Sequence, residues 1–255
     1  MIVNHYGAEF GYELIAALPF AYWLHQNGEL TKTVSCDDTK CLYYFSENHE
    51  ETIPERRWNK FEEALRKAEI PNLNIHKPRL DSSRWSPPPL NEYYKNDIFD
   101  YDYVVMNKYN NEWYGYPQNF IPTDVLDKVF TKLSGKKVLY FHMTKDMGRD
   151  DSWPSLELNE WDIVKRYNID TIQDVMKKHD YSLNHLQCLI YANCSQFISI
   201  AGGCAILASY FGGRNIIYAV DCPDIHSGEL HGYYPNFSGS DIHVVSNGVD
   251  LCNLL

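Results

Sequence analysis

The sequence predicts an α/β protein built from two doubly wound, Rossmann-like units, and three observations carry that reading. Short apolar runs alternate with stretches of helical spacing along the chain, the pattern of strand–helix–strand repeats. The run YDYVVMNK at 101–108 is apolar through its centre, as strands covered on both faces of a parallel sheet are. A second series opens at KKVLYFHM, 136–143, just after Ser134 and Gly135 stop a helix. The division expected is therefore 1–134 and 135–255.

In chain order, Ile2 and Val3 lead into the Gly7–Gly11 turn, and a helix follows over 13–27, closed by Gly28. TVSCD at 33–37 and CLYYF at 41–45 read as strands. Trp58, Phe61, Leu65 and Ala68 mark an amphipathic helix ended at Ile70–Pro71, and LNIHK at 73–77 is a short strand. Leu126, Val129, Phe130 and Leu133 line a helix behind Thr123. In the second unit, helices are expected over 158–166 and 171–179, with a further helical face at Leu183, Leu186 and Ile190. QFISIAGGCAILASYFGGRNIIYAVD then gives strand, Gly-Gly turn, helix and strand, and HVVS at 243–246 is the last strand.

Composition narrows the function classes. A formal charge of −11 argues against a nucleic-acid partner, which needs a basic footprint. Twenty tyrosines and six tryptophans are many, and such rings suit sugars and bases as well as cores. The seven cysteines form no CxxC pair, which points to free thiols of a reduced, cytoplasmic protein and not to a zinc site. No apolar run approaches the roughly 20 residues of a membrane span.

Four constellations could carry chemistry. GAEFG fails the spacing of the dinucleotide fingerprint, although Asp37 follows the second strand where a ribose-binding acid would sit. Gly7 and Gly11 either bring backbone N–H groups to a ligand or allow a tight turn and close helix packing. Glu9 between them is a candidate base, while Glu13 reads as an acid complementing the helix dipole. FISIAGGCAILASYFGG is the second: Gly202–Gly203 and the small residues Cys204 and Ala205 would let a diphosphate approach the backbone, or simply let helix and sheet pack closely. The third, HMTKDMGRDDSWP, offers His142 at a strand end and the cations Lys145 and Arg149; a solvated loop with local Asp–Arg pairing is the alternative. The fourth is aromatic: Trp113, Tyr114 and Tyr116, then His226, His231, Tyr233 and Tyr234, rings that stack on a ligand or fill an interdomain seam. His226 and His231 lack the spacing and third ligand of a zinc site, and no metal is expected.

GAEFGYEL and its helix resemble the first strand–turn–helix of small glycosyltransferases with the GT-B fold. LQCLIYANCSQFISIAGGCAILASYFGG resembles their second-domain donor region. Protein O-fucosyltransferases, heptosyltransferases of lipopolysaccharide synthesis and the plant xylosyltransferase group share this arrangement, and the compact size is similar to glycosyltransferases of large algal viruses. The resemblance implies two Rossmann-like domains facing a cleft, acceptor side first and donor side second. It also implies an inverting, metal-independent transfer from a nucleoside-diphosphate sugar to a glycan hydroxyl, with no cofactor beyond that co-substrate. It sets Gly202, Gly203, Cys204 and Ala205 near the donor diphosphate with Arg149 as its clamp. Gly7, Gly11, His142 and Lys145 complete the donor side, and Trp113, Tyr114 and Tyr116 serve the acceptor. Glu9 is the base, with Asp81 in reserve. Gln187 stands where a ribose-binding acid is expected, a departure from the pattern. The rival readings are a carbohydrate-binding protein on the same fold and a dinucleotide-dependent oxidoreductase using Gly7–Gly11.

Overall fold

The computed structural model describes residues 1–56, 67, 70, 82–112, 115–143 and 156–255. Among the described residues, nine strands lie in two all-parallel sheets. β1 (Ile2–Asn4), β2 (Lys32–Cys36) and β3 (His49–Ile53) form a three-stranded sheet in that order. β4 (Tyr103–Asn107), β5 (Val138–His142), β6 (Asp170–Thr171), β7 (Gln196–Ile200), β8 (Arg214–Tyr218) and β9 (Asp241–Val245) form a six-stranded sheet ordered β6-β5-β4-β7-β8-β9. Counted from β4, this is the 3-2-1-4-5-6 order of dinucleotide-type doubly wound sheets, with its switch point between β4 and β7.

The α/β class and the two parallel sheets agree with the sequence reading; three particulars differ. β4 pairs with β5 and β7, so the change of sheet falls between Ile53 and Tyr103, and a division at 134 would cut the larger sheet. CLYYF is a series of turns, Leu42 N to Thr39 O and Tyr43 N to Lys40 O, because its buried residues Leu42 and Tyr43 are adjacent and do not alternate. The strand is instead HEETI, whose middle residues are exposed, so it shows no apolar period to read. The helix expected over 58–68 and the strand at 73–77 fall on 57–66, 68–69 and 71–81, which lie outside the described residues.

The two sheets share one core. Alternation along β4 sends Val104 and Met106 to one face and Val105 to the other. The first face joins Leu14, Phe20 and Leu24 of the opening helix with Phe197, Ile206 and Tyr210 of the second unit in a continuous apolar cluster. The opposite face is covered by the Thr123–Lys132 helix through Leu126, Val129 and Phe130.

The opening helix explains how the units are joined. It runs as Phe10–Tyr12, a wide π turn over Glu13–Ala17, and Leu18–Gln26. Pro19 has no N–H and its ring crowds the carbonyl four residues back, so the Leu14 and Ile15 carbonyls lack their usual donors. Side chains from beyond the first sheet replace them: Tyr210 Oη donates to Leu14 O at 2.6 Å, and Tyr233 Oη and Trp85 Nε1 donate to Ile15 O at 2.9 Å each. Tyr210 is fully buried, so Tyr210→Phe leaves the Leu14 carbonyl without that partner. The expected loss is about 1–3 kcal/mol of unfolding free energy, read from the urea midpoint at unchanged m-value.

Candidate functional site

The carboxyl ends of β4 and β7, where ligands bind in open α/β sheets, carry a connected polar group. Lys108 follows β4 directly, and its Nζ donates to Ala201 O at 3.2 Å, across the switch point to the end of β7. The same ammonium pairs with Glu112 Oε1 at 2.6 Å. Glu112 is buried and its other oxygen accepts from Asn119 Nδ2 at 2.6 Å. Asn119 in turn holds the turn after β8, accepting from Val220 N and Asp221 N and donating to Asp221 O at 2.8 Å. Asn107, the last residue of β4, clamps Ile121 through both its amide oxygen and nitrogen. Three strand ends are thus tied by side chains from one connection, NKYNNEWYGYPQNFIP.

Gly202 sits beside Lys108. Its φ of +104° and ψ of −155° belong to backbone that only glycine adopts readily. A Cβ built there would meet nothing closer than Lys108 Nζ at 3.6 Å. Gly202, Gly203 and Cys204 are partly exposed, whereas Ala205 is fully buried and its carbonyl accepts from Ser209 and Asn215. Gly203 also has a packing duty, since a Cβ would come within 3.0 Å of Phe10 Cδ1.

The first glycine turn is filled by protein. A Cβ on Gly7 would lie 3.1 Å from Ile53 Cγ2 and 3.2 Å from Glu55 O, and one on Gly11 would lie 3.4 Å from Ile206 Cδ1. Close packing, the second of the two sequence readings, is what these glycines are seen to do. Glu9 is exposed at the start of the Phe10–Tyr12 helix.

Glu13 is no surface acid complementing a dipole. It is fully buried, its Oε2 is paired with Arg56 Nη2, and its Oε1 accepts from Tyr43 Oη at 2.9 Å. Burial alone would raise its pKa, but the Arg56 guanidinium, with hydrogen bonds from Arg56 and Tyr43, holds it below the ordinary carboxylate value. His5 Nε2 lies 3.4 Å from the same carboxylate yet accepts a hydrogen bond from Cys36 N. That nitrogen is therefore unprotonated, and the contact is not an ion pair. Burial accordingly lowers the His5 pKa.

His142 ends β5, in register with Asn107. It is 3% exposed; its Nδ1 is paired with Glu160 Oε1, and its ring stacks on Trp161 at 6.1 Å. His142 Nε2 and Glu160 Oε2 are buried with no hydrogen-bond partner among the described residues. Of the aromatic loops, Tyr116 is 58% exposed, close in sequence to Glu112. Tyr233 and Tyr234 are buried in the seam, and His226 pairs with Asp221 at 2.8 Å. Asp81, Trp113, Tyr114, Lys145 and Arg149 lie outside the described residues. Among the described residues no cluster of three His, Cys, Asp or Glu is arranged to hold a metal ion, and no helix is long and apolar enough to cross a membrane.

No family model matches the chain, and no curated protein or solved structure is significantly similar to it. Its two-sheet α/β architecture is compatible with a nucleotide-binding enzyme. Sequence reasoning passed over Lys108, Glu112 and Asn119. The legible signal was a lysine just behind a strand with an apolar centre, at the end where a parallel sheet presents side chains to a ligand.

Proposed function

We propose that this chain is a nucleotide-sugar-dependent glycosyltransferase of GT-B type, with the donor diphosphate bound across the ends of β4 and β7. The observation that carries the reading is the switch point itself: a Gly-Gly turn, one residue of it in glycine-only backbone, faces the ammonium of Lys108. Backbone without side chains lets phosphate oxygens approach N–H groups, and the lysine balances their charge. The six-stranded sheet is the donor side and the three-stranded sheet the acceptor side. Gly202, Gly203 and Cys204 line the diphosphate, with Ala205 supporting the turn from the core, His142 beside it, and Lys145 and Arg149 as further cations. Tyr116, with Trp113 and Tyr114, receives the acceptor.

In the transfer, a carboxylate takes the proton of the acceptor hydroxyl as its oxygen attacks the anomeric carbon. The bond from that carbon to the diphosphate breaks, and the nucleoside diphosphate leaves with the electron pair. Glu9 is the base in this reading and Asp81 its alternate. The filled turn at Gly7 and Gly11 weighs against the oxidoreductase reading, which needs NAD at that turn.

The test is thermal unfolding with UDP, GDP, ADP, CMP, their common sugar conjugates and NAD, each with and without EDTA. A ligand at about a hundred times its dissociation constant adds about 2.7 kcal/mol of stability. A shift with one nucleoside diphosphate, retained in EDTA, is the expected result. A shift with NAD alone, or none across the panel, would sink the proposal.

A further inference from the structure

A cavity of about 830 Å³ opens between the first sheet, the Leu90–Tyr93 helix and the Leu183–Tyr191 helix. It shares no residue with the switch-point group of Lys108, Glu112 and Gly202, and its volume is that of a ligand site. Its floor is aromatic. Tyr44 and Tyr93 stack face to face with ring centroids 3.6 Å apart and planes 14° apart. Tyr94 meets both edge-on, and its hydroxyl is fixed on Cys41 O at 2.6 Å. Tyr93 is nonetheless 55% exposed, so a large ring is held in place by its neighbours with much of its surface in water. A tyrosine held rigid and left open is a ready platform, because little entropy is lost when a ligand settles on it.

The polar rim is of mixed sign. Asp37 and Glu51 contribute acceptor-only carboxylates, Lys40 and Lys95 donor-only ammoniums, and His185 a ring able to do either. Glu51 is held rigid, since its Oε1 accepts from both Thr39 N and Lys40 N at 2.7 Å. The opposite wall is fixed too: Asp38 accepts from Asn184 N at 3.0 Å and Asn184 Nδ2 at 2.7 Å, tying the first turn of the Leu183–Tyr191 helix to the end of β2. A phosphate would meet the carboxylates and a simple cation the lysines. A neutral polyol meets neither penalty, because every hydroxyl both donates and accepts, and a pyranose has an apolar C–H face to lay on an aromatic ring.

We infer that this cavity binds a sugar residue of a glycan chain, stacked on the Tyr93–Tyr44 pair and held through its hydroxyls by Glu51, Asp37 and the lysines. The inference stands apart from the transferase reading. The test is calorimetric titration of the full chain with neutral trisaccharides of glucose, mannose, galactose and N-acetylglucosamine. At least one should bind saturably. Tyr93→Ala should weaken that binding about tenfold, the worth of one stacked ring, and Glu51→Gln should weaken it several-fold. The melting temperature of Tyr93→Ala should stay close to that of the parent, which separates lost binding from lost fold. Absence of saturable binding by every member of the panel overturns the inference. So does binding that Tyr93→Ala leaves unchanged, or binding that a nucleoside diphosphate displaces. Tyr93-dependent sugar binding without any nucleotide response would keep this site and discard the transferase.

Discussion

Glu13→Ala is expected to lower the unfolding free energy by about 3–5 kcal/mol, the range for breaking a buried ion pair from one side. The substitution removes the partner of Arg56, which is itself buried at 5% exposure, and leaves the Tyr43 hydroxyl without its acceptor. Arg56 also donates to the Ala8 carbonyl at 3.4 Å and lies over the face of Phe10 at 4.9 Å, contacts that carry no compensating negative charge. Urea denaturation at neutral pH measures the loss. Glu13→Gln is a sharper control, because it preserves shape and an acceptor for Tyr43 while removing the charge. If Glu13→Gln were as stable as the parent, the carboxylate would not be balancing Arg56 and the network would be misread.

The same network sets a pH dependence whose sign can be worked out. The folded pKa of Glu13 lies below its unfolded value, so the folded state binds fewer protons in the acid range and stability rises with pH there. Its contribution is present above the ordinary carboxylate pKa and is lost as pH falls through the lowered one. His5, whose pKa is lowered by burial, acts in the same direction at higher pH: the neutral ring is favoured in the fold, and stability begins to fall below the ordinary imidazole value of 6.5. The parent should therefore lose stability in two acid stages. Glu13→Gln should retain the earlier stage and flatten the later one.

What could be read in the sequence follows from where burial is one-sided. β4, β7 and β8 were legible because each carries adjacent apolar residues, as strands covered on both faces do, and the Thr123–Lys132 helix because one face alone is apolar. β3 was hidden because an edge strand of a three-stranded sheet can be almost wholly polar, as HEETI is. Glu13 was misjudged because its partners, Arg56 and Tyr43, are brought to it by the fold and not by spacing. Pro19 was present in the sequence as a warning that helix carbonyls would need outside donors. Which tyrosines and tryptophan supply them is a tertiary fact. The assignment of β4 to the larger sheet is likewise invisible locally, since a parallel strand reads the same whichever neighbours it has.

Lys108→Ala is expected to weaken binding of the stabilising nucleoside diphosphate by about 10–100-fold, the equivalent of about 1.5–3 kcal/mol for a hydrogen bond to a charged group. The lysine already bridges Ala201 O and Glu112, so a diphosphate entering at Gly202 would meet an ammonium held in place and not one that must be recruited. The alanine variant also leaves Glu112, 6% exposed, without its cation, and some loss of stability would follow from that alone. The pair Lys108→Ala/Glu112→Gln separates the two effects, because the glutamine still accepts from Asn119 and carries no buried charge. If the double variant melts near the parent yet shows the same drop in nucleotide affinity, the lysine acts on the ligand. If affinity returns with stability, Lys108 serves the loop through Glu112, and the positive charge for the diphosphate must come from elsewhere. Full affinity in the single variant would show that the Lys108 ammonium takes no part in holding the diphosphate, and would leave its charge to the proposed cations Lys145 and Arg149.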